Sequence, residues 1–147
     1  MMNQNSNKGY SPIFRLANQN DILALCRIDS VNSSERYQEI IQWVTQDNAY
    51  LIEISDTIVA YGIFHSHFFG QNFIELLMVD QQYRRQGLAL TLIENFKQLR
   101  KTPKLFTSTN QSNVATQKLL TQTGFITSGV IENLDKNDPE LIYCYNP

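Results

Sequence analysis

One change of pattern in the middle of the chain constrains the fold most. The run Phe73–Val79 is apolar and predicts a strand, whereas the apolar residues of Leu88–Leu99 recur at helical spacing. A polar, basic loop joins the two, and Lys104–Thr109 is again typical of a strand. A strand, a helix and a strand in this order predict a parallel β-α-β unit, so the chain needs a sheet with a helix packed on it.

The segments before and after this unit predict further strands and helices. The other predicted strands are Ile13–Leu16, Tyr50–Ile54, Ile58–His65, Phe125–Asn133 and Glu140–Tyr145. One helix is predicted after Asp21, a second after Ser33 that ends before Asp47, and a third from Asn113 to a stop at Gly124. The resulting order, β-α-α-β-β-β-α-β-α-β-β, predicts an α/β fold with a mixed sheet.

Length and composition exclude several classes of protein. The 147 residues, of which 42% are hydrophobic, suffice for one core, and we expect one domain over residues 10–147 after a flexible segment at residues 1–9. A net charge of −2 disfavours broad binding to nucleic acid. No apolar run approaches the roughly 20 residues of a membrane span, and residues 1–9 lack the apolar core of a signal peptide. We therefore expect a cytoplasmic protein with no nucleic-acid or membrane partner.

The charge is unevenly distributed along the chain. The segment from Arg84 to Lys118 contains seven basic residues and one acid, a net charge of +6, and the remainder carries −8. This distribution indicates either ordinary helix surface charge or an anion-binding half opposed to an acidic half. The two cysteines, Cys26 and Cys144, lie in apolar runs, and we expect both to be buried and inert.

The basic part includes a loop suited to phosphate binding. The first amides of a helix have no partner within the helix and bind phosphates where the backbone is accessible. Gly87 and Ala89 offer little obstruction there, and Arg84 and Arg85 add positive charge. A helix start with incidental arginines, in which Gly87 only relieves strain, is the alternative. The pattern Arg84-x-x-Gly87-x-Ala89 between an apolar strand and an apolar helix resembles the acetyl-coenzyme A signature of the GNAT N-acetyltransferase superfamily.

A second motif downstream strengthens this resemblance. Asn113, eleven residues before Gly124-Phe125, is similar to the Asn…Gly-Phe pattern of the family's closing helix. The order of elements is similar to that of the family from Ile13 to Tyr145. The resemblance implies a GNAT-like acyl-CoA N-acyltransferase fold, with acetyl-CoA as cosubstrate and no metal.

The resemblance also implies which residues bind acetyl-CoA. Backbone amides from Arg85 through Leu90 would hold the pyrophosphate, main-chain groups of Leu77–Val79 would pair with the pantetheine arm, and the two parallel strands would separate to admit the thioester. Asn113 and Thr109 would lie near the sulfur. The full set of implied cofactor-binding residues is Leu77, Met78, Val79, Arg84, Arg85, Gln86, Gly87, Leu88, Ala89, Leu90, Thr109 and Asn113.

Glu75 is the candidate general base. In GNAT enzymes the acceptor amine attacks the thioester directly, so the ammonium must lose a proton and the developing oxyanion needs a donor. Glu75 is the only ionisable side chain in Phe73–Val79, and alternation places it beside Phe73, Leu77 and Val79, where partial desolvation is expected. A strand amide at Met78 or Val79 would serve the oxyanion. The alternatives for Glu75 are a water relay, a carboxylate that only holds a cationic substrate, or a buried acid satisfied by backbone amides.

The chain departs from the family pattern at the proton donor. Many members carry a tyrosine seven residues after the Asn of the closing helix, and that position is Leu120 here. Tyr83, Tyr143 and Tyr145 are potential substitutes; otherwise the thiolate leaves unassisted.

Three further side chains have open alternatives. His65 and His67 alternate on a strand and should face one way, in an acceptor pocket or at an exposed hairpin end; no third ligand lies at a spacing that suggests a metal. Trp43 fits the core of an amphipathic helix, or the border of the acceptor site.

The function that these features favour is acetyl transfer from acetyl-CoA to a primary amine, of a small molecule or a protein or peptide, by direct attack in a ternary complex. An acyl-CoA-binding or sensing module without turnover is the alternative, suggested by Leu120. A third option is a structural domain that uses the apolar strand Leu141–Tyr145 as an interface. A homodimer is compatible with each option.

Overall fold

The computed structural model describes residues 11–147, so the predicted N-terminal segment lies outside the described residues. The strands are β1 (Ile13–Leu16), β2 (Ala49–Ile54), β3 (Thr57–Phe68), β4 (Gln71–Val79), β5 (Leu105–Asn110), β6 (Ile126–Ile131) and β7 (Glu140–Tyr145). The α-helices are α1 (Ile22–Ile28), α2 (Ser34–Thr45), α3 (Leu88–Leu99) and α4 (Val114–Gln122). Short 3₁₀ turns precede α1 and α3. The predicted order of elements is confirmed.

The seven strands form one mixed sheet in the order β1-β2-β3-β4-β5-β7-β6. The pair β4/β5 is parallel, as the β-α-β pattern predicts, and β7 lies between β5 and β6 and is antiparallel to both. The parallel pairing joins Asn72, Phe73 and Ile74 to Leu105–Thr107 and includes no residue of β4 beyond Ile74 within the described chain.

Two tight turns determine the hairpins of the sheet. Ser55 and Asp56 between β2 and β3, and Phe69 and Gly70 between β3 and β4, all have positive φ. Paired left-handed residues match the twist of the flanking strands, so a two-residue loop suffices. Because the second loop is so short, β3 and β4 extend closer to the turn than the sequence predicts.

Residues 11–63 and 76–92 form one compact unit. Its apolar core receives one face of α2, which presents Ile40, Trp43 and Val44. Tyr61 of β3 is fully buried in the same cluster. Ser33 caps α2, because its hydroxyl accepts a hydrogen bond from the amide of Arg36. Trp43 is therefore a core residue, as the first of its two interpretations predicts.

Residues Phe64–Glu75 and Ile93–Pro147 form a second compact unit. Phe64 and Phe96 stack in its interior with ring centroids 5.1 Å apart. Gly124 follows α4 with φ +93°, a left-handed conformation that favours glycine, and it lies beside the ring of Tyr145. Within residues 11–147, no helix combines the length and apolar character needed to cross a membrane.

Candidate functional site

The loop between β4 and α3 is anchored at its start by Asp80. Its carboxylate accepts hydrogen bonds from the amide of Gln82 at 3.0 Å and from the guanidinium of Arg27 at 3.1 Å. The amide of Asp80 donates to the carbonyl of Val59 at 2.8 Å. These bonds place the beginning of the loop against β3 and α1 of the same unit. Sequence reasoning missed Asp80, although an Asp directly after a strand is typical of a cap.

The end of the loop has an open, left-handed backbone. Arg85 and Gly87 have φ of +64° and +76°. A Cβ at Gly87 would meet no described atom within 4 Å, so the glycine serves the backbone conformation and leaves free space on its outer side. Helix α3 follows at Leu88, and its first amides have no acceptor within the helix. This geometry fits a phosphate group approaching the backbone.

The basic side chains of this region differ in their availability. Arg84 and Arg85 are exposed, and neither joins an ion pair within residues 11–147. Lys97 is buried: its ammonium donates to the carbonyl of Thr123 and to Glu94. This charge therefore stabilises the end of α4 and is not exposed helix surface charge.

The last part of β4 supplies the residues expected to pair with the pantetheine arm. Leu77, Met78 and Val79 are half-buried, and the sulfur of Met78 accepts a hydrogen bond from the hydroxyl of Ser30 at 3.7 Å. These residues lie beyond the part of β4 that pairs with β5. Their backbone is therefore not part of that parallel ladder.

Glu75, in the second unit, faces a histidine. Its Oε1 lies 3.0 Å from Nε2 of His65. The Glu75 side chain is 43% exposed, so the predicted desolvation among apolar neighbours is wrong: the carboxylate remains hydrated and has a polar partner instead. His65 and His67 stack with ring centroids 5.2 Å apart, which confirms that they face one way.

The closing helix of the second unit begins at Asn113. The side-chain oxygen of Asn113 accepts a hydrogen bond from the amide of Thr116 at 3.2 Å, and the residue is exposed. Thr109 is buried at the end of β5. Leu120 is fully buried, so an apolar core residue occupies the position at which many family members carry a tyrosine.

Of the three tyrosines proposed as substitutes, Tyr143 is buried beside α4. It lines a groove of about 420 Å³ with helix residues that include Gln117 and Thr121. The ring of Tyr145 is covered by the ammonium of Lys97, 4.2 Å from its centroid. Tyr143 is therefore the better placed of these two to replace the missing tyrosine.

Neither metal binding nor thiol chemistry has support in this geometry. No group of three or more potential metal ligands exists within residues 11–147. Cys26 is half-buried and Cys144 buried, and both are unpaired. Burial raises the pKa of each thiol; nearby Asp29 raises that of Cys26 further, and Lys104 partly opposes the shift at Cys144. These thiols are therefore poor nucleophiles, as expected.

Comparisons with known proteins agree with the family resemblance of the sequence. The model of the acetyltransferase (GNAT) family matches residues 16–125. A GNAT-family acetyltransferase from Bacillus cereus is 29% identical, with a TM-score of 0.85 over 92% of this chain and 97% of that one. No curated protein sequence matches the chain.

Two more distant structures share the fold. A Bacillus anthracis acetyltransferase in complex with acetyl coenzyme A is 19% identical, with a TM-score of 0.73 over 93% of this chain and 99% of that one. The ribosomal-protein-S18-alanine N-acetyltransferase of Escherichia coli is 18% identical, with a TM-score of 0.72 over 92% and 93% of the two chains.

Proposed function

This chain belongs to the GNAT acetyltransferase family, and from that premise we propose that it transfers an acetyl group from acetyl-CoA to a primary amine by direct attack in a ternary complex. The observation that carries the proposal is the open left-handed turn at Gly87, directly before the free N-terminus of α3. Acetyl-CoA supplies the acetyl group already activated as a thioester.

The loop and α3 would hold the pyrophosphate. The amides from Arg85 through Leu90 would bind it near the N-terminus of α3, where the helix dipole is positive, and Arg84 and Arg85 would add charge there. The main chain of Leu77–Val79 would bind the pantetheine arm, and Thr109 and Asn113 would lie along its sulfur end. Two exposed arginines and an accessible Gly87 support this assignment.

Glu75 would accept the proton of the ammonium. The exposed carboxylate of Glu75 can contact a hydrated amine and pass the proton on to water. An amide of Met78 or Val79 would stabilise the oxyanion by about 3–4 kcal/mol. The thiolate would then leave unassisted or with a proton from Tyr143. The acidic remainder of the chain favours a cationic acceptor, of a small molecule or of a protein or peptide.

The test is acetyl-CoA turnover over a panel of amines with wild type, Gly87→Glu and Glu75→Gln. A side chain at Gly87 would strain the turn, and its negative charge would repel the phosphates, so we expect the KM for acetyl-CoA to rise at least about tenfold. Glu75→Gln should lower kcat and leave that KM within about twofold. Wild-type kinetics in Gly87→Glu would refute the phosphate site.

The alternative is an acyl-CoA-binding module that does not turn over its ligand. The buried Leu120 favours this alternative, because no proton donor occupies that position. Calorimetry separates the two functions: CoA binding with no release of free thiol over the whole amine panel would favour the binding module, and absence of CoA binding would refute both.

A further inference from the structure

The hydrogen bonds of His65 determine which of its nitrogens carries the proton. The Nδ1 atom lies 3.0 Å from the backbone nitrogen of His67, and a backbone N–H can only donate. Nδ1 must therefore accept and is unprotonated. In a neutral imidazole the proton is then on Nε2, which donates to Oε1 of Glu75 at 3.0 Å.

The ring of His65 packs against two other rings. It stacks on His67 with centroids 5.2 Å apart and on Phe73 with centroids 5.6 Å apart. Phe73 in turn stacks on Phe68 at 4.7 Å. The His65 side chain is only 12% exposed, whereas that of Glu75 is 43% exposed. The largely buried Nε2 of His65 therefore bonds one oxygen of the Glu75 carboxylate, whose side chain is otherwise exposed to solvent.

We propose that His65 is the positioning residue of Glu75: it fixes Oε1 and thereby directs Oε2 towards the acceptor amine. This inference rests on the proposed function. The proton of the ammonium passes to Oε2 as the amine lone pair attacks the thioester carbon and the C–S bond breaks. His65 takes no part in that transfer, because Nδ1 is occupied by the His67 amide and Nε2 already carries a proton.

Few charged side chains lie on the strands near His65 and Glu75. His67 on β3 stacks behind His65, and β5 carries no ionisable side chain. On β7, Glu140 accepts a hydrogen bond from Ser108 at 2.6 Å. Loss of the His65 donor should therefore leave Oε1 of Glu75 without this bond and let the carboxylate rotate.

The kinetic experiment compares His65→Phe, His65→Gln and His67→Gln. In His65→Phe the ring can still stack, but the donor is lost. We expect kcat to fall about tenfold and the KM for acetyl-CoA to stay within about twofold. His65→Gln supplies an amide donor and should recover most of the rate. His67→Gln keeps the backbone amide and should lower kcat less than His65→Phe does.

The energetic coupling between His65 and Glu75 distinguishes a positioning role of His65 from a general structural role. In a Glu75→Gln background, His65→Phe should cause less than about a twofold further loss, because the two residues act as one unit. A full tenfold loss in that background, or an unchanged kcat in the single variant, would overturn the proposal.

A second measurement does not depend on turnover. Long-range ¹H–¹⁵N spectra of the imidazoles at pH 7 should show His65 as the Nε2–H tautomer. Observation of the Nδ1–H tautomer or of an imidazolium would overturn the proposed geometry. If no amine is acetylated while the expected tautomer is present, the proposed function has failed and the hydrogen-bond assignment has not.

Discussion

The hydroxyl of Tyr61 donates a hydrogen bond to the carboxylate of Asp29, and both groups are buried in the first unit. The same carboxylate accepts from the guanidinium of Arg36 at 2.8 Å and from the amide of Val31 at 2.9 Å. Burial of the phenol and its bond to Asp29 raise the pKa of Tyr61 far above its usual range. This network ties α1, α2 and β3 to one buried charge.

Tyr61→Phe should therefore destabilise the protein. The ring is retained, but a buried carboxylate loses one of its donors, and hydrogen bonds to charged groups contribute about 1.5–3 kcal/mol. Urea denaturation should show a decrease of that size in the free energy of unfolding. Tyr37→Phe, at an exposed position, is the matched control and should stay within about 0.5 kcal/mol. Equal stabilities of the two variants would refute the prediction.

Stability should fall in acid in part through Asp21. Hydrogen bonds from Arg15, at 2.9 and 3.0 Å, lower the pKa of Asp21 against the opposing effect of burial. Because the folded-state pKa lies below the unfolded value of about 3.9, this stabilisation is present above that pH and is lost as pH falls through the folded-state pKa. Asp21→Asn should be less stable than wild type at pH 7, and the difference should shrink below about pH 4. A difference independent of pH would contradict the ion pair.

Lys97→Met should destabilise the second unit. Methionine fills a similar volume but leaves the Thr123 carbonyl at the end of α4 without its donor, and it removes the cation from the face of Tyr145. An unsatisfied buried acceptor costs about 1–3 kcal/mol, which thermal or chemical denaturation can measure. Lys101→Met removes an exposed lysine and is the control. A loss in Lys97→Met no larger than in the control would disprove the capping function.

Arg85→Gly should separate stability from cofactor binding. Glycine relieves the left-handed strain at φ +64°, and the greater entropy of the unfolded chain offsets this gain, so stability should change by less than about 1 kcal/mol. The affinity for CoA should fall about fivefold or more, and less so at high salt, because a phosphate partner is lost. Acetyl-pantetheine, which lacks the pyrophosphate, is the control ligand and should bind equally to both proteins. An equal loss for both ligands would exclude the phosphate contact.

Tyr143→Phe tests whether this side chain protonates the thiolate. If it does, kcat should fall about tenfold or more at high pH, where protonation limits the reaction, with an unchanged KM for acetyl-CoA. Tyr83→Phe is the corresponding control. Turnover at the wild-type rate would show that the thiolate leaves without help from Tyr143.

Local patterns predicted the elements because their causes are local. The spacing of Leu88, Leu92, Ile93 and Phe96 determines which face of α3 is apolar, and all four are buried. Asn113 and Gly124 begin and end α4 through hydrogen bonds and backbone conformations within a few residues. The open turn at Gly87 follows from the same kind of local constraint.

Contacts between residues far apart in the sequence could not be predicted from such local patterns. Alternation suggested a desolvated Glu75, but β3 brings His65 to it across the hairpin. The count of charges did not reveal that the ammonium of Lys97 bonds a carbonyl at the end of α4. Asp29 and Tyr61, 32 positions apart, showed no signal of their contact.

The sequence by itself determined the order of the elements and the apolar faces of the helices, because capping and periodicity act over a few residues. Only the tertiary structure decided that β7 lies between β5 and β6, that His65 lies within hydrogen-bond distance of Glu75, and that Asp29 and Lys97 are buried with their partners. Each of these features depends on pairing between distant segments and on the need of every buried polar group for a hydrogen-bond partner. Several side chains of similar chemistry could serve as that partner, so local sequence does not identify it.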